Sequence, residues 1–217
     1  MDWEFILSVC TVFISCVALF QTNRQIKLSN KQHLFDRRLK CYMIIAGMIS
    51  LYKEHRTLLE RKREDEPQFA IDLEFVWLTN NSYLEALAEA IELPLKQPHH
   101  KNFLRKIEEL RTLATEIKLI FSGKEANLCS NFVSRYERTL LKIYQYQIIL
   151  NHIRRANEKR PMTPEERSRL FPDEPEERAE LYQALEQLKS AYQAILDRKA
   201  DEKLVKQLAL NWKGFCL

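Results

Sequence analysis

Glycine is almost missing from this 217-residue chain, and the three present, Gly47, Gly123 and Gly214, stand far apart. Phosphate-cradling loops, the Walker A motif and the G-x-S-x-G elbow all bring backbone without side chains close to a ligand. Isolated glycines argue against each of those chemistries. A β protein with many tight turns would also need more glycine. Scarce glycine beside abundant Leu, Ala, Glu, Lys, Arg and Gln favours helices. The cysteines number five, Cys10, Cys16, Cys41, Cys129 and Cys216, with no C-x-x-C and no framework spacing. An odd, scattered set argues for reduced thiols in a cytosolic compartment. Histidine supplies no H-E-x-x-H, and no Glu-x-x-His of the kind that di-metal helical bundles use. His99 and His100 are adjacent in a Pro-bounded loop, where a solvated pair is expected rather than a metal site. No cofactor and no metal are expected.

Charge is missing from one stretch altogether. Residues 5–20, FILSVCTVFISCVALF, contain no charged residue, no Gly and no Pro. As a helix this run rises about 24 Å, a little short of the ~30 Å hydrocarbon core of a bilayer. Trp3 at one end and residues 21–23 at the other suit the interface, and Arg24 and Lys27 can snorkel. The set expected to face lipid is Phe5, Leu7, Val9, Val12, Phe13, Ile14, Val17, Leu19 and Phe20. Ser8, Thr11 and Ser15 can bond back to their own helix. A cleaved leader would open with basic residues and end in an A-x-A-like site, whereas this flank is acidic and no such site follows. Lys and Arg follow the run and none precedes it, so the positive-inside rule puts the body in the cytoplasm and the short head outside.

The remaining charge comes in blocks. Residues 22–64 hold eleven Lys/Arg against four Asp/Glu, residues 65–95 hold seven acids and no base, and residues 96–160 hold fourteen bases against six acids. One reading is complementary packing of helices. The sharper one sets Arg24, Lys27, Lys31, Arg37 and Arg38 against an anionic membrane surface, at ~1 kcal/mol for each nearby base. A net charge of +4 is too mild to call for nucleic acid by itself.

Periodicity organises the rest. In residues 26–66 the apolar positions Leu34, Phe35, Leu39, Tyr42, Met43, Ala46, Ile49, Tyr52 and Leu59 mark one helical face. Ser29 with Gln32 offers a capping box, although the helix can equally run unbroken from the membrane, and Gly47 suits close helix packing. The charged run ending at Pro67 closes this helix. Residues 68–93 read as two shorter helices, the first carrying Phe69, Leu73, Val76 and Trp77; Thr79-Asn80-Asn81-Ser82 supplies the turn formers and N-cap candidates of the second, with Glu85 three residues after Ser82. A helix over residues 101–121 and a long one over residues 126–158 follow. The latter is apolar around so much of its circumference that it belongs at the centre of a bundle. Residues 160–175 are Pro-rich, with Thr163-Pro164-Glu165-Glu166 as a short helix start. The last long helix begins near Pro175, and a final stretch covers residues 202–212. Tyr136, Tyr144, Tyr146, Tyr182 and Tyr192 are expected in the core. The fold class is therefore all-α: a single N-terminal transmembrane helix followed by a cytoplasmic multi-helix bundle. The expected division is an anchor with basic flank over 1–28, a bundle core over 29–160, and a linker with packing helices over 161–217.

Leu34-Phe35-Asp36-Arg37-Arg38-Leu39, with Tyr42 following, is the most suggestive polar group. It can form a collar in which the arginines meet lipid phosphates and Asp36 pairs with Lys40 one turn on. Asp36, Trp77, Asn80 and Asn81 are the candidate partner contacts. An apolar N-terminal span, a basic stretch and this LFD-[RK]-R motif together resemble a loose group of bacterial single-pass membrane proteins. The likeness covers about residues 5–60. It implies a membrane-tethered helical protein, of a layout found in some anti-phage defence loci, and brings no catalytic residue.

The expected function is that of a membrane-anchored interaction or effector protein with no catalytic motif. It would act at the inner membrane by binding a protein partner or by forming a homo-oligomer, with the lipid bilayer itself as a contact. A helical ligand-binding sensor or motif-less enzyme is one alternative. A membrane-tethered nucleic-acid binder, resting on residues 96–160, is another.

Overall fold

The computed structural model describes residues 3–59 and 77–208. Among these the chain forms seven α-helices and one 3-10 turn, with no strand. Helix α1 runs Trp3–Leu59, a 3-10 turn covers Trp77–Thr79, and α2 spans Glu85–Glu92. Then come α3 (His99–Ile120), α4 (Gly123–Lys159), α5 (Pro164–Leu170), α6 (Glu174–Arg198) and α7 (Ala200–Leu208). The expected helix over residues 68–76, the charged stop at residues 61–67 and Trp212 lie outside the described residues.

Helix α1 has 57 residues, about 86 Å of continuous helix. Nothing in it forces a break, since the first proline is Pro67 and Gly47 is alone. The Ser29 cap does not form, and the span and the following helix are one rod. Gly47 is half-buried, and a Cβ there would meet Asn81 Nδ2 at an ordinary 3.6 Å. Close approach of two helices is therefore not what this glycine serves.

Helix α4 is the centre of the bundle, packed by α3 and α6 on its longest faces and also by α2 and α7. The C-terminal third of α1 lies across α3, the 3-10 turn and α7. Tyr52 of α1, Phe132 of α4 and Tyr192 of α6 form the aromatic heart, with ring centroids 4.9 Å apart for Tyr52–Tyr192 and 6.3 Å for Tyr52–Phe132. Such tilted and edge contacts add about 0.5–1.5 kcal/mol each beyond area burial. Tyr136, Tyr144, Tyr146 and Tyr192 are buried and Tyr182 packs half-buried against them. Tyr136 Oη donates to Leu78 O at 2.6 Å, which ties the 3-10 turn to α4.

Polar pairs fix the registers. Tyr146 Oη donates to Glu174 Oε1 at 2.8 Å, Arg178 flanks the same carboxylate, and buried Lys142 bonds Glu180. Burial, with the Glu174 carboxylate second, pushes the Tyr146 hydroxyl well above the usual tyrosine range. Ser130 Oγ donates to Ala114 O at 2.6 Å between α4 and α3.

The breaks follow local chemistry. Thr163 and Glu166 form a reciprocal capping box with Pro164 in the first turn of α5. Gly123 takes φ +86° where α3 hands over to α4, a conformation glycine adopts without strain. Lys199 is left-handed between α6 and α7 and donates to Ile195 O and Leu196 O. Of the four turn formers before the second helix of the acidic region, Asn81 makes the turn: its Oδ1 accepts from Tyr83 N and Leu84 N at 3.1 and 2.8 Å. The His99-His100 pair is not a solvated loop. It opens α3 half-buried, with His99 Nδ1 3.2 Å from Glu89 and His100 Nδ1 2.7 Å from Tyr144 Oη.

The face of α1 used by the bundle also differs. Cys41, Ile45, Met48 and Tyr52 are buried, while Leu34, Leu39 and Met43 of the expected face are exposed. This stretch has apolar residues on two faces, and the periodicity alone did not separate them.

Candidate functional site

The part of α1 with no contact to the bundle is its most apolar part. Its most apolar 18-residue window, near the N-terminus, has no residue buried, so by length and composition α1 is a candidate membrane span. Phe13, Ile14, Leu19 and Phe20 are 67–71% exposed, and Leu7, Val9, Val12 and Val17 are exposed as well. Phe5 lies on the same helix. Thr11 Oγ1 donates to Leu7 O and Ser15 Oγ to Thr11 O, both at 2.8 Å, and Thr22 Oγ1 to Ala18 O at 2.9 Å. These three hydroxyls are thereby used on their own helix. The uncharged run from residue 5 to residue 23 is about 28 Å long.

Beyond it the helix continues as an exposed stalk carrying Arg24, Lys27 and Lys31. The bundle begins at Arg37 and Arg38, about 25 Å along the axis from Phe20. Both arginines have protein partners. Arg37 Nε donates to Glu116 Oε1 at 3.0 Å and stays two-thirds exposed. Arg38 is part-buried: its Nε donates to Ile120 O at 2.6 Å and its NH1 to Gln207 O at 3.1 Å. Ile120 ends α3 and Gln207 lies in the last turn of α7. One guanidinium thus serves a carbonyl at the C-terminus of α3, where a cation is also favoured by the dipole, and one on α7. Its carbon lies 5.8 Å from the Phe121 ring centroid. Gln207 completes the knot by bonding Ser122 N and Ser122 O, both at 2.9 Å.

Asp36 is exposed on the other side of α1. It lines a groove of about 560 Å³ with Leu39, Met43, Gly47, Asn81 and Tyr83. A second depression of about 510 Å³ continues past Lys40, Ile44 and Tyr83 to Arg105 and Glu108. Tyr83 is pushed up to about 12 by burial and then by nearby Glu109, and Lys106 Nζ sits 4.3 Å over its ring. Cys41, beneath the second depression, is raised to about 11 by burial and the Glu116 carboxylate. Both groups are therefore protonated at neutral pH.

The four candidate partner contacts do not form one cluster. Asp36 and Asn81 share the groove. Trp77 is half-buried and stacks on His55 at 5.2 Å, and Asn80 is exposed in the adjoining turn. Among the described residues no group of three or more His, Cys, Asp or Glu is placed to hold a metal. The double cap by Arg38 was missed at the sequence level because Ile120 and Gln207 lie 82 and 169 residues away. No protein-family model matches the sequence, and no curated protein and no solved structure is significantly similar to it.

Proposed function

We propose that this chain is a single-pass membrane-anchored interaction protein. Residues 5–20 cross the inner membrane with the N-terminus outside, and the helical bundle works at the cytoplasmic face by binding a partner or a second copy. The setting implied by the resemblance over residues 5–60 is an effector of bacterial defence or stress. The exposed apolar end of α1 carries this reading. Eight large apolar side chains of residues 5–20 are exposed, and leaving each in water forgoes about 1.5–3 kcal/mol. The sum, roughly 12–24 kcal/mol, is as large as or larger than the ~5–15 kcal/mol net stability of an ordinary domain. Such a surface needs a cover, and a bilayer matches its length, its back-bonded hydroxyls and its one-sided basic flank.

Expression of the full chain followed by alkaline extraction of membranes tests the reading. The chain should stay in the membrane pellet, and Phe13→Asp with Ile14→Asp should release it. A full chain that remains soluble after cell breakage would remove the anchor from the account.

A further inference from the structure

The bundle occupies the flank of α1 that carries Arg38, Cys41, Ile45, Met48 and Tyr52. About 100° round the helix runs a second line, stepping alternately by three and four residues. In the span it passes through Leu7, Thr11, Ile14 and Ala18. In the stalk it passes through Gln21, Gln25, Leu28, Gln32, Phe35 and Leu39. All of these but half-buried Phe35 are exposed, so the line is open from the span to the point where the bundle begins.

Its charge pattern is selective. Of the nineteen residues 21–39, six are charged: Arg24, Lys27, Lys31, Asp36, Arg37 and Arg38. All six fall among the thirteen residues off the line, and none among the six on it. A 3.5-residue repeat with an uncharged seam is the pattern of helices that coil round each other left-handedly. Leu28, Phe35 and Leu39 are its apolar knobs.

We infer that α1 is a self-association helix: a second copy of this chain lies parallel and in register along the seam from Leu7 to Leu39. The inference rests on the membrane-anchored reading, which gives every copy the same orientation. Charge complementarity selects the occupant. In a parallel pair the seam-flanking Lys31 of one copy faces the residue five further on in the other, which is Asp36. Asp36 makes no ion pair with Lys40 inside the chain, and its side chain is open on the stalk. A shift of register or an antiparallel arrangement loses this match. In the span, Thr11 and Ala18 on the same line allow close approach in lipid. The bundle, held on the Cys41–Tyr52 flank, stands beside the seam rather than over it.

Cysteine scanning in native membranes tests this. In a full chain bearing Cys10→Ala, Cys16→Ala and Cys216→Ser, single cysteines replace residues 25–32 in turn under a mild oxidant. Cys41 and Cys129 are buried and remain in place. Covalent dimer should peak at Gln25→Cys, Leu28→Cys and Gln32→Cys, at least about fivefold above Lys27→Cys and Asn30→Cys, because a disulfide needs Cβ atoms within ~4.5 Å. Asp36→Lys should lower the Leu28→Cys dimer several-fold, and Lys31→Asp in the same chain should restore it. Flat crosslinking, a maximum at Lys27→Cys or Asn30→Cys, crosslinks only to other proteins, or no rescue by the charge swap would each overturn the inference. Alkaline extraction of the same samples separates the two readings. A chain retained in membranes with no seam pattern sinks the self-association alone, whereas a seam pattern in a released chain sinks the anchor alone.

Discussion

Arg38 is the single side chain on which the seating of α1 most depends, and its removal has a calculable cost. Arg38→Ala deletes two charge-assisted bonds, to Ile120 O at the end of α3 and to Gln207 O on α7. A hydrogen bond to a charged group contributes about 1.5–3 kcal/mol. The site is only part-buried, so water recovers some of this for the freed carbonyls, and about 2–4 kcal/mol is the expected net loss. At roughly 2–4 °C per kcal/mol for a chain of this size, thermal unfolding should move down by about 4–16 °C. Arg37→Ala is the internal control. Its bond to Glu116 is made by a side chain that is 67% exposed, and an exposed ion pair contributes no more than about 1 kcal/mol. Arg38→Lys keeps the charge but not the fork that reaches two carbonyls, so it should fall between wild type and Arg38→Ala. The assay is circular dichroism melting of the full chain in one mild detergent. An Arg38→Ala melt within about 1 °C of wild type, or an equal loss from Arg37→Ala, would refute the double-cap reasoning.

Other outcomes follow from the interior. Tyr146→Phe should cost about 1–3 kcal/mol in urea unfolding, since it leaves the buried Glu174 carboxylate short of a donor; an unchanged midpoint would show that Arg178 alone suffices. Burial pushes the Cys129 thiol from 9.0 up to about 12. The folded chain then holds a proton that the unfolded chain releases, so this stabilisation is intact below about pH 9 and lost as pH rises towards 12. Stability should fall from pH 9 to 11, with a shallower slope in Cys129→Ala; parallel slopes would contradict the burial argument. Maleimide at pH 8 should spare the buried Cys41 and Cys129 until the chain is denatured, and Cys10 and Cys16 while the span stays in the bilayer, where the thiolate does not form; prompt labelling of Cys41 or Cys129 would be inconsistent with the packing.

Much of the architecture is legible in the sequence because helices announce themselves locally. Residues 101–121 and 126–158 come within three residues of α3 and α4 at either end, and Thr163-Pro-Glu-Glu forms the capping box its letters describe. The breadth of apolar residues on α4 correctly marks it as central. What was not legible was tertiary. The choice between two apolar faces of α1 depends on which one α3 and α7 meet, and Leu39 and Met43 are as apolar as Ile45 and Met48. The letters left four turn formers open, Thr79, Asn80, Asn81 and Ser82; Asn81 makes the turn, its side-chain oxygen reaching two backbone N–H groups at once. The His99-His100 pair is drawn inward by Tyr144, 44 residues later, which no local pattern encodes. The candidate site divides the same way. The exposed apolar run was visible as a string of letters, whereas the knot of Arg38, Gln207 and Ser122 is assembled from three distant segments.

The account turns on whether the free end of α1 lies in a bilayer with the bundle on the cytoplasmic side. Protease protection of right-side-out and inverted membrane vesicles holding the full chain reads both at once. The bundle should be digested only in inverted vesicles, leaving a protected fragment that contains residues 5–20. Digestion in both orientations, or recovery of the chain in the soluble fraction, would contradict the account.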